Sequence, residues 1–373
     1  MTFITRVLPL VVGWLGAWWL LWRLPVPRPL APDADPVLGD VAVVVPARDE
    51  ETNLPGLLAS LAPARDAGAE VLVVDDHSTD GTAAVARAGG ATVIEAPDLP
   101  TGWAGKPHAC ARGAAGTDRE VLVFLDADTT LEPGGLERIV AEHRSRGGLL
   151  SVQPYHRTEL PHERLAALFN LVGVMGVGCA TAPPRPRIAG AFGPCLVTTR
   201  AEYDAVGGHA AVRGAVLEDI ALGEHYRRAG LPVGALGGRG VISFRMYPHG
   251  MRQLVEGFTK NFAGGAGAIP AWRTALIFVW ITGMLVAGWT LPIQSIGWWT
   301  GGATPSALAY GAYLAYAVQL VVLLRRVGRF GPWAPWAFPL LVAGFLAIFL
   351  RSLVHSARGR TTWRGRTIPT RGA

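Results

Sequence analysis

VLVFLDAD (Val121–Asp128) is the stretch on which the reading of the fold turns. Its five leading apolar residues are too many for a strand with one wet face. The pattern predicts a strand covered on both sides, as in the middle of an open α/β sheet. Such sheets bind ligands beyond the carboxyl ends of their strands. The stretch stops there in Asp126 and Asp128, whose side chains leave the same face if strand pairing persists through them. Two carboxylates so spaced can converge on one hard cation, and Mg²⁺ or Mn²⁺ bridges protein carboxylates to substrate phosphates. A solvated acidic turn is the competing reading.

The same order of strand, acidic loop and helix recurs upstream. A strand over Val41–Val45, ended by Pro46, leads into PARDEE (46–51) and an apolar-periodic helix with Asn53 near its start. A second, Glu70–Val74, leads into DDHSTDGT (75–82), where a carboxylate of Asp75 or Asp76 can accept from a uracil imide or a ribose hydroxyl. Ser78, Thr79 and Asp80 read as an N-cap cluster. A third, ATVIEAP (91–97), precedes a glycine-containing loop with Lys106. This alternation predicts a doubly wound sheet. The chain has only two lysines, Lys106 and Lys260, against thirty-two arginines. A compact ammonium suits a diphosphate, and an ordinary surface lysine is the alternative. Further on, VLEDIALGEHYRRAG (216–230) predicts a helix with Glu218 and Asp219 in its first turn. Negative charge is ordinary there. It is also what inversion at an anomeric carbon needs, a carboxylate that takes a proton from an attacking hydroxyl.

Half of the 373 residues are hydrophobic, and the excess collects at the two ends. Residues 7–22 carry no charge and lie between Arg6 and Arg23, which predicts a membrane anchor in preference to a cleaved signal peptide. Residues 25–36 read as a proline-rich tether. Leu165–Thr181 is uncharged and predicts an interfacial or acceptor-lining helix, since a span there would separate Asp219 from Asp126. Three apolar runs follow, at 274–291, 307–324 and 334–350. RRVGR (325–329) marks an inside loop. The arginine-rich tail then argues that 334–350, with Pro335 and Pro339, is re-entrant or interfacial, which would let TTWRGRT (361–367) reach the donor phosphates; three full spans remain the alternative. The net charge of +6 sits beside apolar runs, which suits anionic headgroups better than nucleic acid. Three cysteines give no metal spacing and no disulfide framework, as expected of a reduced compartment.

VVVPARDEE, VLVVDDHSTDGT, the GWAGK loop, VFLDADT and VLEDIALGEHYRRAG resemble, in order, the motifs of family 2 glycosyltransferases of the GT-A fold. The block FRMYPHGMRQLVEGFTKNFAGG (244–265) lacks the Gln-x-x-Arg-Trp of polymer synthases. It resembles bacterial carotenoid glycosyltransferases acting on diaponeurosporenoate, and more loosely hopanoid-associated members. The resemblance, which covers about 41 to 230, implies a Rossmann-like mixed sheet, to which the apolar runs add one N-terminal and two to three C-terminal transmembrane helices. It implies that Pro46, Ala47, Arg48 and Glu50 line the nucleoside pocket and that Asp75 or Asp76 contacts the base. Asp126 and Asp128 would hold Mg²⁺ or Mn²⁺ at the diphosphate, and Asp219, with Glu218, would supply the base. Arg245, Lys260 and Asn261 would lie near the diphosphate or the acceptor carboxylate. Gln253, Val255, Phe258 and Phe262 would form a face lying on the membrane.

The expected organisation is an anchor (1–24), a linker (25–40), a GT-A domain (41–243), an interfacial segment (244–272), a membrane region (273–350) and a basic cytoplasmic tail (351–373). The expected activity is inverting transfer of a hexose, glucose, from a UDP-sugar to a membrane lipid, with the catalytic domain on the cytoplasmic side of a bacterial inner membrane. A polyprenyl-phosphate acceptor and a non-catalytic scaffold or transporter are the alternatives. A nucleotidyltransferase is disfavoured because PARDEE is acidic where a basic glycine loop would be expected.

Overall fold

The computed structural model describes residues 3–31, 37–183, 188–215, 217–265, 269–357, 360–363 and 366–369, with backbone alone at 3–6, 260–265 and from 356 onward. In chain order it has helix α1 (Phe3–Leu20), β1 (Val41–Ala47), α2 (Leu54–Asp66), β2 (Glu70–Asp75), α3 (Thr82–Ala88), β3 (Thr92–Glu95) and α4 (Gly105–Ala115). Then come β4 (Val121–Leu125), β5 (Thr129–Leu131), α5 (Gly135–Arg146), β6 (Leu149–Gln153), β7 (Tyr155–Arg157) and α6 (Ala166–Val177). After these follow β8 (Cys195–Thr199), α7 (Arg200–Ala205), α8 (Glu218–Arg228), β9 (Val233–Gly237) and β10 (Ile242–Phe244). Helices α9 (Met251–Gly265), α10 (Ala271–Trp299), α11 (Ala307–Val327) and α12 (Phe338–Ala357) complete the larger elements. The chain divides into two compact units, one built from Pro25–His156 and Gly190–Arg245, the other from Met1–Leu24, Arg157–Ala189 and Met246–Arg371.

The first unit holds a seven-stranded sheet in the order β3-β2-β1-β4-β8-β6-β9. The four strands β3, β2, β1 and β4 are parallel, and β8 is antiparallel to both of its neighbours. All five residues of β4 are buried. Odd-numbered side chains of β1 and β4 (Val41, Val43, Val45, Val121, Val123, Leu125) join a core with α2 and α5, while Ala42, Val44, Leu122 and Phe124 join another with α4 and α8. The two-sided cover expected from the apolar run is therefore present.

Three local expectations change. First, β1 does not end at Pro46 but runs to Ala47, pairing with β2 as far as Asp75, while its pairing with β4 stops at Val44. A residue without N–H costs little beside an unused edge. Second, β4 ends at Leu125, and Asp126–Asp128 form a turn whose Asp126 carbonyl accepts from Thr129 N at 3.1 Å and Oγ1 at 2.8 Å. The two carboxylates are set by a turn, not by strand alternation. Third, residues 25–31 are bonded along the domain rather than hanging as a tether. The Pro25 carbonyl accepts from Gly237 N at 2.7 Å. Arg28 donates from N and Nε to the buried Glu142 carboxylate at 3.2 and 3.1 Å, and Arg138 donates to the carbonyl of Arg28 at 3.2 Å.

In the second unit, α10, α11 and the segment Phe338–His355 are each long and apolar enough to cross a membrane. The third run is thus one continuous helix of spanning length. Pro335 precedes it and Pro339 is its second residue, where the missing N–H breaks no helical bond. The apolar part of α1, Val7–Leu20, is shorter than these. It is held by polar side chains of α11: Tyr316 Oη donates to the Leu10 carbonyl at 2.8 Å and Gln319 Nε2 to that of Trp14 at 2.7 Å. Gln319 Oε1 in turn accepts from Trp280 Nε1 at 3.0 Å. Helix α6, with twelve residues, reaches only about 18 Å and cannot cross about 30 Å of hydrocarbon. It is buried instead, with Phe169 stacked on Phe258 of α9 at 3.9 Å. That contact corrects the expectation for α9: Leu254 and Phe258 are buried against protein, not laid on lipid, and Phe262 has its side chain outside the described residues.

Candidate active site

The site gathers at the carboxyl ends of β1, β2 and β4. The loops after β1 and β2 are tied to one another. Asp49 and His77 both adopt left-handed backbone (φ 52° and 57°), a conformation non-glycine residues hold only when their surroundings impose it. Here Asp49 N donates to Ser78 Oγ at 3.0 Å, Thr79 N to Asp49 Oδ1 at 2.8 Å, and Gly81 N to Glu51 Oε2 at 3.0 Å. The helix α3 is capped less directly than expected. Its N-cap is Gly81, and Asp80 Oδ1 accepts from Thr82 N at 3.0 Å.

Within these loops the expected nucleoside residues divide by task. Pro46 and Ala47 are strand residues, and the Ala47 carbonyl accepts from Asp76 N at 2.8 Å. Glu50 organises the start of α2, its backbone N–H donating to Thr82 Oγ1 at 2.8 Å and its Oε2 accepting from Asn53 at 2.7 Å. Asp75 turns its carboxylate to Ser78 N at 3.0 Å. Asp76 is buried, with the Arg48 guanidinium 3.7 Å and His77 Nδ1 3.4 Å away. Of the two aspartates, Asp76 keeps its carboxylate directed at the Arg48 guanidinium and the His77 ring.

Lys106 sits not in a flexible loop but in the first turn of α4, and it connects the remaining residues. Its Nζ lies 2.6 Å from Asp126 Oδ1 and 3.2 Å from Glu218 Oε1, and donates to the Gly193 carbonyl at 3.4 Å. Burial works against its charge, but Asp126 and then Glu218 hold the ammonium well above its usual range. Asp219 lies beside Glu218 in the first turn of α8, with Oδ1 accepting from Ile220 N at 2.9 Å. Burial, and then the Glu218 charge, push its carboxyl up to about 7, against Lys106 and the N–H groups of Ile220 and Gly193. A carboxyl tuned close to neutral pH suits proton transfer.

Asp126 and Asp128 are both part-exposed. They offer oxygen only, which fits a hard divalent cation whose other ligands are diphosphate oxygens and water. Among the described residues no group of three or more His, Cys, Asp or Glu side chains is placed to hold a metal ion by itself. Arg245 follows β10 into the same region, its backbone N–H donating to the Asp128 carbonyl at 3.4 Å. Lys260 lies on α9 in the other unit, its side chain outside the described residues, as is that of Asn261; so too are the side chains of TTWRGRT. His249 is exposed, its N–H donating to Gln253 Oε1 at 3.0 Å.

Gly190–Pro194, in GAFGPC (190–195), reads in the sequence as glycines allowing close approach of a sugar or lipid head; at Gly193 the structure adds a different close approach, and a tyrosine–histidine pair was not evident beforehand. A Cβ on Gly193 would come within 3.1 Å of Asp219 Oδ2 and 3.3 Å of Lys106 Nζ, so the backbone there serves both charges at a distance a side chain would obstruct. Beneath them, Tyr203 Oη accepts from His209 N at 3.0 Å and lies 2.9 Å from Nδ1 of the same residue. Burial pushes that imidazole down to about 4, leaving it neutral under the acidic pair.

Residues 42–176 match the family described as Glycosyl transferase family 2. The 4,4'-diaponeurosporenoate glycosyltransferase of Staphylococcus haemolyticus (strain JCSC1435) is 37% identical over 253 residues, 66% of this chain and 67% of the relative. The protein of that name from Staphylococcus aureus (strain MRSA252) is 37% identical over 252 residues, with the same coverage. Among solved structures, a mannosyltransferase from Pyrobaculum calidifontis in complex with GDP-Man and Mn²⁺ aligns with a TM-score of 0.50 at 19% identity, covering 94% of each chain.

Proposed function

The chain belongs to glycosyltransferase family 2 and has the GT-A fold, and from that premise we propose that it transfers glucose from UDP-glucose, with inversion, to a terminal oxygen of a membrane lipid of the carotenoid-acid class. The observation that carries the reading is Lys106, one ammonium within 2.6 Å of the carboxylate after β4 and 3.2 Å of the acidic pair opening α8. It joins the group that would face the donor to the group that would face the acceptor. The acceptor class is supported by the 37% identity to two diaponeurosporenoate glycosyltransferases. A lipid acceptor also suits a chain with three helices long and apolar enough to cross a membrane, and RRVGR favours a cytoplasmic catalytic unit.

In this reading Asp76 and Arg48 hold the nucleoside, while Asp126 and Asp128 would hold Mg²⁺ or Mn²⁺ against the diphosphate. The neighbour solved with GDP-Man and Mn²⁺ is consistent with such ligands. The ion would supply charge neutralisation for the departing UDP. The acceptor oxygen forms its bond to the sugar C1 as the bond from C1 to the diphosphate breaks, and UDP leaves with the electron pair. Where the acceptor is a hydroxyl, Asp219 takes its proton. A carboxylate acceptor arrives ionised, and Lys106 then offsets the crowding of negative charge.

The test is transfer by the full chain in lipid nanodiscs, given UDP-glucose, Mg²⁺ or Mn²⁺ and, in separate reactions, a polyene carboxylic acid, a polyene alcohol or a polyprenyl phosphate. Asp128→Asn should lose metal-dependent donor binding, whereas Asp219→Asn should bind donor normally and stall with a hydroxyl acceptor. Transfer only to a polyprenyl phosphate would replace the acceptor assignment. Donor binding unchanged in Asp128→Asn would overturn the metal role.

A further inference from the structure

Tryptophans and arginines collect where α1 ends. Trp18, Trp19 and Trp22, with Ala182 and Pro183, line an open-sided apolar cavity of about 350 Å³. Arg326, in the last turn of α11, stands beside it, with its guanidinium carbon 5.8 Å from the centroid of the Trp18 ring. Its Nη1 donates to the carbonyl of Trp22 at 2.7 Å and to that of Leu21. Those bonds occupy one nitrogen of the fork, leaving the Nε and Nη2 hydrogens to another ligand. Arg23 is exposed just beyond Trp22, held by its backbone N–H on the Ala180 carbonyl at 3.1 Å.

Neither arginine has an acidic partner among the described residues, and α1, α6, α10 and α11 contain no Asp or Glu anywhere in their sequences. The protein thus places one cation without counter-charge, Arg326, beside an apolar slot, and a second, Arg23, follows directly in sequence on Trp22 of its lining. The slot itself is rimmed by the residue type that settles at headgroup depth. Basic pockets between membrane helices accept anionic headgroups, each arginine contributing a modest electrostatic preference. A zwitterionic choline or ethanolamine lipid would bring its own cation toward Arg23 and Arg326.

We infer that this cavity holds one anionic glycerophospholipid, an acyl chain against Trp19 and Trp22 and the phosphate on Arg326 and Arg23. The inference does not depend on the sugar or the acceptor, since every residue in it lies in the helical unit.

The experiment is native mass spectrometry of the delipidated full chain offered phosphatidylglycerol or phosphatidylcholine with identical acyl chains. It is paired with quenching of tryptophan fluorescence by the brominated-chain form of each. One phosphatidylglycerol should be retained at least tenfold in preference to phosphatidylcholine, and its brominated chains should quench the emission. Arg23→Gln should lower that preference about fivefold. Because Arg326 also secures the end of α1, its loss is judged beside Trp22→Ala, a residue 59% exposed whose truncation leaves the bundle intact. Trp22→Ala should abolish most of the retention. Equal retention of the two lipids, or phosphatidylglycerol retention unaltered in both Trp22→Ala and Arg23→Gln, would overturn the site.

Discussion

Replacing Asp219 by Asn should make the protein more stable at neutral and alkaline pH while removing its catalysis of transfer to a hydroxyl acceptor. The carboxyl is raised from the usual 3.8 to about 7 by burial and by Glu218. Below pH 4 the group is protonated in both folded and unfolded chains and has no effect. Between about 4 and 7 the folded chain keeps a proton that the unfolded chain has released, so wild-type stability falls as pH rises. Above 7 the full cost is present. At 1.36 kcal/mol per pH unit the ceiling is about 4 kcal/mol. The value of about 7 already includes the offset from Lys106, and the residual exposure of the residue reduces the expectation to about 1–2 kcal/mol. For a domain of this size that is a rise of roughly 2–8 °C in Tm.

The assay is thermal unfolding of wild type and Asp219→Asn from pH 4 to 8.5, alongside transfer to a hydroxyl acceptor. The two curves should meet near pH 4 and separate above 6, with kcat at least 100-fold lower in the variant and the Kd for UDP-glucose within threefold of wild type. A variant less stable than wild type at pH 8, or one whose stability keeps the wild-type pH slope, would refute the placement of the cost on Asp219.

Two further substitutions bear on the site and the bundle. Gly193→Ala should displace Asp219 and Lys106 from contacts of 3.1 and 3.3 Å to the new Cβ, lowering kcat roughly tenfold or more with donor Kd little changed; steady-state kinetics with equilibrium donor binding separates the two. Gln319→Leu should leave Trp280 Nε1 and the Trp14 carbonyl without their partner and cost about 1–2 kcal/mol, read as a lower midpoint in detergent-induced unfolding.

Much of the sheet was legible because burial on two faces writes itself as an unbroken apolar run, as in β4. Where β4 stops was not. Alternation predicts a continuing strand, and the decision for a turn rests on Thr129 bonding the Asp126 carbonyl. Lys106 stood out by rarity, yet its helix was hidden by Gly105 and Pro107, residues that break helix interiors but cost little in a first turn whose N–H groups have no partner anyway. The glycines of Gly190–Pro194 read as room for a sugar or lipid head, yet at Gly193 the groups that come close are Asp219 and Lys106, which no side-chain chemistry announced. The amphipathic pattern of α9 says that one face is apolar, not whether lipid or Phe169 will cover it. The proline content of 25–31 excludes helix but is silent about carbonyls that accept from Arg138 and Gly237.

The bonds from α11 to α1 also set an order of assembly. Trp14 is made 305 residues before the Gln319 that satisfies its carbonyl. At cellular synthesis rates the interval is roughly 15–60 s. For that time α1, whose apolar part is only the fourteen residues Val7–Leu20, must wait without these partners. Its final seat is therefore a late event of biogenesis, and a ribosome stalled before residue 319 would leave it for membrane insertases or quality-control proteases to decide.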